Sequence, residues 1–151
     1  MDDRPVIGWR ERIVLPKWGI RGLRAKIDTG ADTSAIHVED LEVIDDVARF
    51  HVAMRRDATR LSHLIEAPIV RSVSVRSSSG HPDQRVVVET RVRIGGLRLD
   101  AQFTLVRRHR MKYRVLIGRR LIANAGFVVD VTHDGLAPFK KRPAIDPEET
   151  P

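Results

Sequence analysis

Cysteine is absent from this chain of 151 residues. The sequence therefore has no disulfide framework, and thiolate-based zinc sites, iron–sulfur clusters and cysteine nucleophiles are excluded. Long apolar runs are absent as well, and Met1 to Arg4 lack the basic-then-apolar pattern of an export signal. We therefore expect a cytoplasmic protein with no membrane partner.

Aromatic residues are scarce, at 5% of the chain, whereas 27 lysines and arginines outnumber 20 acidic residues and give a net charge of +7. This excess favours an anionic partner or substrate. Neither an RNP-like aromatic sequence nor zinc-finger ligand spacing is present. An acidic peptide fits the charge as well as RNA does, so a non-catalytic basic binding module is one alternative.

Nucleotide and metal motifs are also missing. There is no Gly-x4-Gly-Lys-Ser/Thr loop and no dinucleotide fingerprint, so we expect no cofactor. The six histidines are scattered and form no His-Glu-x-x-His pair. We predict no metal site, and a zinc-dependent protease assembled from distant residues such as Asp28, His37 and His81 is a second alternative.

Length and composition fit one globular domain, which we place at residues 1–138. Short apolar-alternating runs predict a mainly β protein, with strands at 12–15, 23–27, 48–52, 70–75, 86–94, 97–106 and 127–131. The clearest hairpin turns at Gly95-Gly96, where positive φ is needed.

Two further segments depart from the strand pattern. The apolar spacing changes between Leu116 and Gly126, which predicts one short helix near residues 118–125. Residues 139–151 are charged and proline-rich without periodicity, which predicts a flexible tail.

The most informative motif is Asp28-Thr29-Gly30-Ala31, which follows an apolar-alternating strand. One carboxylate cannot serve as both acid and base, but a two-fold dimer would bring a second Asp28 beside it, so that the pair shares a proton. Alone, the motif also fits an ordinary turn. Leu116-Ile117-Gly118 suits a second loop packed behind the aspartate, because glycine lets two backbones approach closely.

Four segments, in order, resemble one protein family. They are Gly8-Trp9-Arg10-Glu11, the run 26–37 (KIDTGADTSAIH), Arg76-Ser77-Ser78-Ser79-Gly80-His81, and the run 110–121 (RMKYRVLIGRRL). Together they resemble, from residue 7 to residue 131, the RimB-like, RimK-associated family of retropepsin-like aspartic peptidases. Its members also carry the label ATP-dependent zinc protease.

The resemblance implies a closed acid-protease β-barrel and a homodimeric endopeptidase that acts on an acidic, glutamate-rich substrate such as a glutamylated ribosomal-protein tail. It implies that Asp28 is catalytic, that Thr29, Gly30 and Ala31 form the active-site loop, and that Leu116, Ile117 and Gly118 pack behind it. ATP use would belong to a partner, an ATP-grasp glutamate ligase.

Residues 76–81 lie between two predicted strands, and their serine-rich and glycine-containing composition suits a flap that closes over a peptide. We expect Arg76 and His81 to contact a substrate glutamate, since guanidinium binds carboxylate in bidentate fashion. A solvated hairpin loop is the alternative. A second basic concentration, from Arg107 to Arg120, is expected to be a solvated face or a steering field.

Asp32 is a departure from the family pattern, since many relatives are expected to have a basic residue there. A carboxylate near Asp28 is expected to disfavour its ionised form or to alter substrate preference.

Overall fold

The computed structural model describes residues 3–55, 60–76, 80, 82–107 and 113–137, without the side chains at 75, 76, 82 and 83. The predicted tail at 139–151 lies outside these residues. The described chain has one α-helix, α1, at Arg119–Ala125, and a single-turn 3-10 helix at Pro16–Trp18. Its strands β1 to β10 are, in chain order, Val6–Gly8, Arg10–Leu15, Ile20–Ile27, Ser34–Ile44, Val47–Val52, Ile65–Arg76, Pro82–Ile94, Leu97–Val106, Val115–Ile117 and Val128–Asp130. The mainly β class and the short helix near 118–125 are confirmed.

Eight strands form one sheet, in the order β2-β3-β9-β4-β5-β6-β7-β8. Two further pairings, β4 with β8 and β2 with β7, join strands that are distant in that order. The β4–β8 pairing brings the sheet back on itself, as a closed barrel requires. Strands β1 and β10 form a separate parallel pair.

The core lies inside this sheet because the strands bury alternate residues. In β3, Leu23, Ala25 and Ile27 are buried, while Arg24 and Lys26 between them are exposed. Successive side chains of a strand point to opposite faces, so this pattern places one face against the core. The largest fully buried side chains include Phe50, Phe103, Ile13, Leu15 and Ile36.

The hairpin of β7 and β8 turns at the predicted site. Ile94 pairs with Leu97, and Gly95 between them has a φ of 61°. A two-residue turn with positive φ matches the twist of the strands that it connects. The sequence prediction of this hairpin is confirmed.

Strand β4 was not among the predicted strands, although it has 11 residues. Its apolar alternation is interrupted at Asp40, which has a φ of 55°, and the pairing with β5 shifts register between Glu39 and Glu42. A bulge of this kind breaks the two-residue period that identifies a strand. Strands β1 and β9 also escaped prediction, since three residues are too few to show a period.

Glu11 joins the N-terminal strands to residues 133–137, a segment that we call the strap. The Glu11 side chain is buried, with 3% of the residue exposed. Its Oε2 accepts the backbone N–H groups of Gly8 at 2.6 Å, Leu136 at 2.8 Å and Ala137 at 3.1 Å. A buried carboxylate needs such donors, because an unpaired buried charge is costly.

Two other contacts hold the strap. A Cβ atom at Gly8 would lie 2.4 Å from the carbonyl oxygen of His133, so a larger residue could not fit there. Arg10 Nε donates to Asp134 Oδ1 at 2.9 Å, and this guanidinium lowers the pKa of the Asp134 carboxyl below its ordinary value. The motif from Gly8 to Glu11 therefore anchors the strap.

Candidate active site

Asp28 lies directly after β3, where that strand runs parallel to β9. Lys26 pairs with Leu116 and Ile27 with Ile117, and the backbone N–H of Asp28 donates to the carbonyl of Ile117 at 2.8 Å. Ile117 is fully buried. The position of Asp28 is therefore fixed by two strands of the main sheet.

A tight turn follows Asp28 and orients its carboxylate. The N–H of Gly30 donates to Asp28 Oδ1 at 3.0 Å, and the N–H of Ala31 donates to the Asp28 carbonyl at 3.2 Å. Asp28 is half-buried, whereas Thr29 and Gly30 are exposed. The carboxylate thus has a defined orientation and remains accessible from outside the chain.

Gly118 packs against the far side of this turn. A Cβ atom at Gly118 would lie 2.4 Å from the carbonyl oxygen of Thr33 and 3.0 Å from that of Ala31. Its N–H donates to Ser34 Oγ at 2.9 Å. The structure therefore brings Leu116, Ile117 and Gly118 together with the Asp28 loop, and only glycine fits at the third of these positions.

Helix α1 supports the loop through main-chain and side-chain donors. The N–H groups of Arg119 and Arg120, which begin the helix, donate to the carbonyls of Ala31 at 2.7 Å and Asp32 at 3.2 Å. The first N–H groups of a helix have no partners within it, so these bonds satisfy them. Arg119 Nη1 also donates to the carbonyls of Gly30 at 3.0 Å and Thr29 at 3.3 Å.

Asp32 is paired with the same two arginines. Arg120 Nε lies 3.2 Å from Asp32 Oδ2, and Arg119 Nη2 lies 3.7 Å from Asp32 Oδ1. The sequence prediction had assigned Arg119 and Arg120 to a general basic surface. Both arginines are exposed, as predicted, and their contacts also tie α1 to the Asp28 loop. The predicted influence of Asp32 on Asp28 remains a prediction.

The predicted flap, residues 76–81, falls between β6 and β7 in the sequence, and the last register pair of these strands is Arg76 with Pro82. Gly80 has a φ of 82°. Ser77, Ser78, Ser79 and His81 lie outside the described residues, as does the side chain of Arg76. The contacts expected of Arg76 and His81 with a glutamate therefore stay predictions.

A cleft of about 310 Å³ lies beside the loop, between Asp32 and Thr33 on one side and Arg71 and Arg85 of the β6–β7 hairpin on the other. The sequence prediction named neither Arg71 nor Arg85. The alternation of residues 70–75 is enough to place Arg71 and Val73 on the same face of a strand. Arg85 joins that face only through the pairing of β6 with β7, which the sequence pattern does not reveal.

The zinc-dependent alternative requires His, Asp or Glu side chains that lie close together. Across residues 3–55, 60–76, 80, 82–107 and 113–137, no three His, Asp or Glu side chains are grouped to hold a metal ion. His37 is buried, and its Nε2 contacts Glu39 Oε1 at 2.8 Å. Because His81 lies outside these ranges, a zinc site formed by Asp28, His37 and His81 stays a prediction.

A family model described as RimB-like, retropepsin-like aspartic endopeptidase RimB, matches residues 6–140. The chain belongs to this RimB-like family. This match confirms the resemblance of the four sequence segments and covers the Asp28 loop, Gly118 and α1.

The RimB-like chain is also similar to part of several curated relatives. A probable alpha-L-glutamate ligase from Shewanella pealeana is 27% identical over 131 residues, which is 84% of this chain and 29% of the relative. One from Parasynechococcus marenigrum is 29% identical over 123 residues, or 79% of this chain and 26% of the relative. The chain thus spans less than a third of the length of these relatives.

A solved structure shares the fold of the RimB-like chain. A Legionella pneumophila protein of unknown function matches with a TM-score of 0.74 and 23% identity, over 88% of this chain and 98% of that one. At this identity the match supports the fold alone. Among the described residues, α1 has seven residues, and no helix has the length and apolar character needed to cross a membrane.

Proposed function

We propose that this protein is an aspartic endopeptidase that is active as a homodimer and cuts peptide bonds in an acidic, glutamate-rich substrate. A glutamylated ribosomal-protein tail is such a substrate, and it would place the enzyme in the cytoplasm. The Asp28 loop carries the proposal: its carboxylate is half-buried, oriented by Gly30 and supported by α1, in a chain of a retropepsin-like family.

In the proposed reaction, two Asp28 carboxyl groups share one proton across the two-fold axis. The ionised group takes a proton from a water molecule as the water oxygen bonds to the carbonyl carbon, and the protonated group donates to the carbonyl oxygen. The resulting diol then collapses: a proton passes to the amide nitrogen, the C–N bond breaks, and one acid and one amine are released. The dyad returns to its shared-proton state.

The loop residues have distinct proposed roles in the dimer. The N–H of Gly30 donates a hydrogen bond to the Asp28 carboxylate, and the carbonyl of Ala31 accepts one from the N–H of Arg119. Thr29 is exposed beside Asp28, so its hydroxyl is free to brace the loop of the second protomer. The segment 76–81 would close over the bound peptide as the flap.

The substrate class is supported by charge and by the relatives. The net charge of +7 favours an acidic substrate. The chain resembles one part of proteins named probable alpha-L-glutamate ligase. We infer that an ATP-grasp ligase of this kind adds glutamates, that this protein removes them, and that any ATP is used by the ligase.

The proposal is tested by comparing the rate of peptide cleavage by the Asp28→Asn variant with that of the wild-type protein. The substitution keeps the side-chain shape but removes the group that moves the proton, so we expect kcat/KM on a glutamate-rich peptide to fall about 1,000-fold or more. Asp45→Asn is the matched control. Asp45 is exposed in the β4–β5 turn with a φ of 47°, a conformation that asparagine tolerates.

Folding and assembly are measured on the same samples. Unchanged circular dichroism and an unchanged sedimentation coefficient in Asp28→Asn would assign the loss to chemistry. Wild-type cleavage by Asp28→Asn would refute the aspartic mechanism. Loss of cleavage with a chelator and its return with zinc would favour a zinc-dependent protease, and binding of the acidic peptide without cleavage would favour a non-catalytic module.

A further inference from the structure

The cleft beside the Asp28 loop is lined by more positive than negative side chains. Its walls include three guanidinium groups, of Arg71, Arg85 and Arg120, and one carboxylate, of Asp32, for a formal charge of +2. Asp32 is already paired with Arg119 and Arg120. Arg71 is exposed, and no carboxylate within the described part of the chain forms an ion pair with it.

Strand register directs Arg71 and Arg85 toward the same space. Arg71 pairs with Val87, and Val73 pairs with Arg85. Residues directly opposite in an antiparallel pair share a face, as do residues two apart in one strand, so Arg71 and Arg85 are diagonal neighbours about 7–8 Å apart. Two long guanidinium side chains at this spacing can reach one bound group.

A neighbouring cleft of about 290 Å³ provides an internal comparison. It shares Arg71 and Arg120 with the first cleft but also includes Glu89 and Asp100, so two positive groups face two negative groups. Its formal charge is zero, whereas the cleft next to the Asp28 loop carries +2. The positive charge is therefore concentrated in the cleft lined by Asp32 and Thr33, which follow the Asp28 loop in the chain.

We propose that the cleft beside the Asp28 loop is a carboxylate subsite, in which Arg71, helped by Arg85, binds a carboxylate of the substrate and so selects acidic peptides. Guanidinium suits this task because its planar donors match both oxygens of a carboxylate. The subsite rests on the proposed peptidase function for its role in cleavage, but its selectivity in binding can be measured without any cleavage.

Binding to the Asp28→Asn protein separates the subsite from the chemistry. Fluorescence anisotropy is measured with three labelled peptides: a glutamate peptide with an amidated end, the glutamine equivalent with an amidated end, and the glutamine peptide with a free carboxylate end. We expect the glutamate peptide to bind about tenfold more tightly than the amidated glutamine peptide. Preference for the free-ended glutamine peptide instead would identify the chain end as the bound carboxylate.

Arg71→Gln is the deciding variant, and Arg21→Gln is its matched control. Arg21 is exposed in β3 and lies outside both clefts, so its replacement leaves them unchanged. Arg21→Gln and Arg71→Gln each remove one positive charge from the protein. We expect Arg71→Gln to remove the preference for a carboxylate and Arg21→Gln to keep it. Equal binding of all three peptides, or equal losses in the two variants, would overturn the subsite.

The same variants distinguish this proposal from the proposed function. If wild-type protein cleaves no peptide but the preference still depends on Arg71, the peptidase function fails and the subsite stands. If wild-type protein cleaves and Arg71→Gln leaves the ratio of kcat/KM between glutamate and glutamine peptides unchanged, the subsite fails and the peptidase function stands.

Discussion

Two carboxylates, those of Glu11 and Asp28, are both held by backbone N–H groups, yet their surroundings differ. Glu11 is 3% exposed, and three N–H groups converge on its Oε2. Asp28 is half-buried, and within the described residues only its Oδ1 accepts a hydrogen bond, from Gly30. The Glu11 carboxylate is buried and holds the strap, whereas the Asp28 carboxylate remains accessible for chemistry.

The two regions are also built differently. The strap is held by the Glu11 side chain, which accepts N–H groups more than 120 residues away in sequence, together with the Arg10–Asp134 pair. The Asp28 loop is held by β9 and α1 through main-chain bonds and by Arg119, so its shape does not depend on the Asp28 carboxylate alone. Substitutions at Glu11 should therefore affect stability, and substitutions at Asp28 should affect activity.

Glu11→Ala should have the largest effect on stability. It leaves three backbone N–H groups without their acceptor, so we expect the free energy of unfolding to fall by about 3 kcal/mol. Asp28→Asn should change it by less than about 0.5 kcal/mol. Urea unfolding of both variants checks the contrast, and an equal loss of stability would remove the distinction between the two carboxylates.

Gly118→Ala should have the second-largest effect on stability, because the added Cβ would lie 2.4 Å from the Thr33 carbonyl oxygen. We expect a loss of about 2 kcal/mol in the free energy of unfolding, together with reduced peptide cleavage. Gly96→Ala is the control, since a Cβ there would meet nothing within 4 Å. Similar thermal midpoints for the two variants would show that the loop does not depend on this close approach.

Arg119→Gln should have a smaller effect on stability and a distinct effect on kinetics. The guanidinium is about half exposed, so its loss should cost about 0.5–1 kcal/mol. Because it holds the carbonyls of Thr29 and Gly30, we expect kcat to fall about tenfold with little change in KM. Arg119→Lys should restore only part of kcat, and an unchanged kcat in Arg119→Gln would exclude a positioning role.

Asp134→Asn should have the smallest effect, and that effect should depend on pH. Arg10 lowers the pKa of the Asp134 carboxyl in the folded protein, so the ion pair contributes stability above the ordinary aspartate value of about 3.9 and loses it as pH falls through the lower folded value. Thermal midpoints of wild type and variant should therefore differ at neutral pH and converge in acid. A constant difference would assign the effect to packing instead.

Local patterns in the sequence predicted much of the fold. The alternation in β3, the Gly95-Gly96 turn and the helix before Gly126 all depend on residues near one another in the chain. Strand β4 escaped because the bulge at Asp40 interrupts its period. The sheet order could not be derived from periodicity, since pairing such as that of β4 with β8 is not encoded in any single segment.

The candidate site was predictable where its residues form motifs and unpredictable where they meet only in space. Asp28 and Gly118 were named from short patterns, and the structure brings them together. Arg119 was counted only as surface charge, because its contacts with Thr29 and Gly30 cross about 90 residues of sequence. Arg71 and Glu11 were given no role for the same reason.

A crystal structure of the homodimer tests the central claim most directly, through the distance between the carboxylate oxygens of the two Asp28 side chains. A shared proton requires contact, so the account predicts a closest oxygen–oxygen separation of about 3 Å. A stable dimer in which the two Asp28 carboxylates lie more than about 10 Å apart would contradict it, because groups at that distance cannot share a proton.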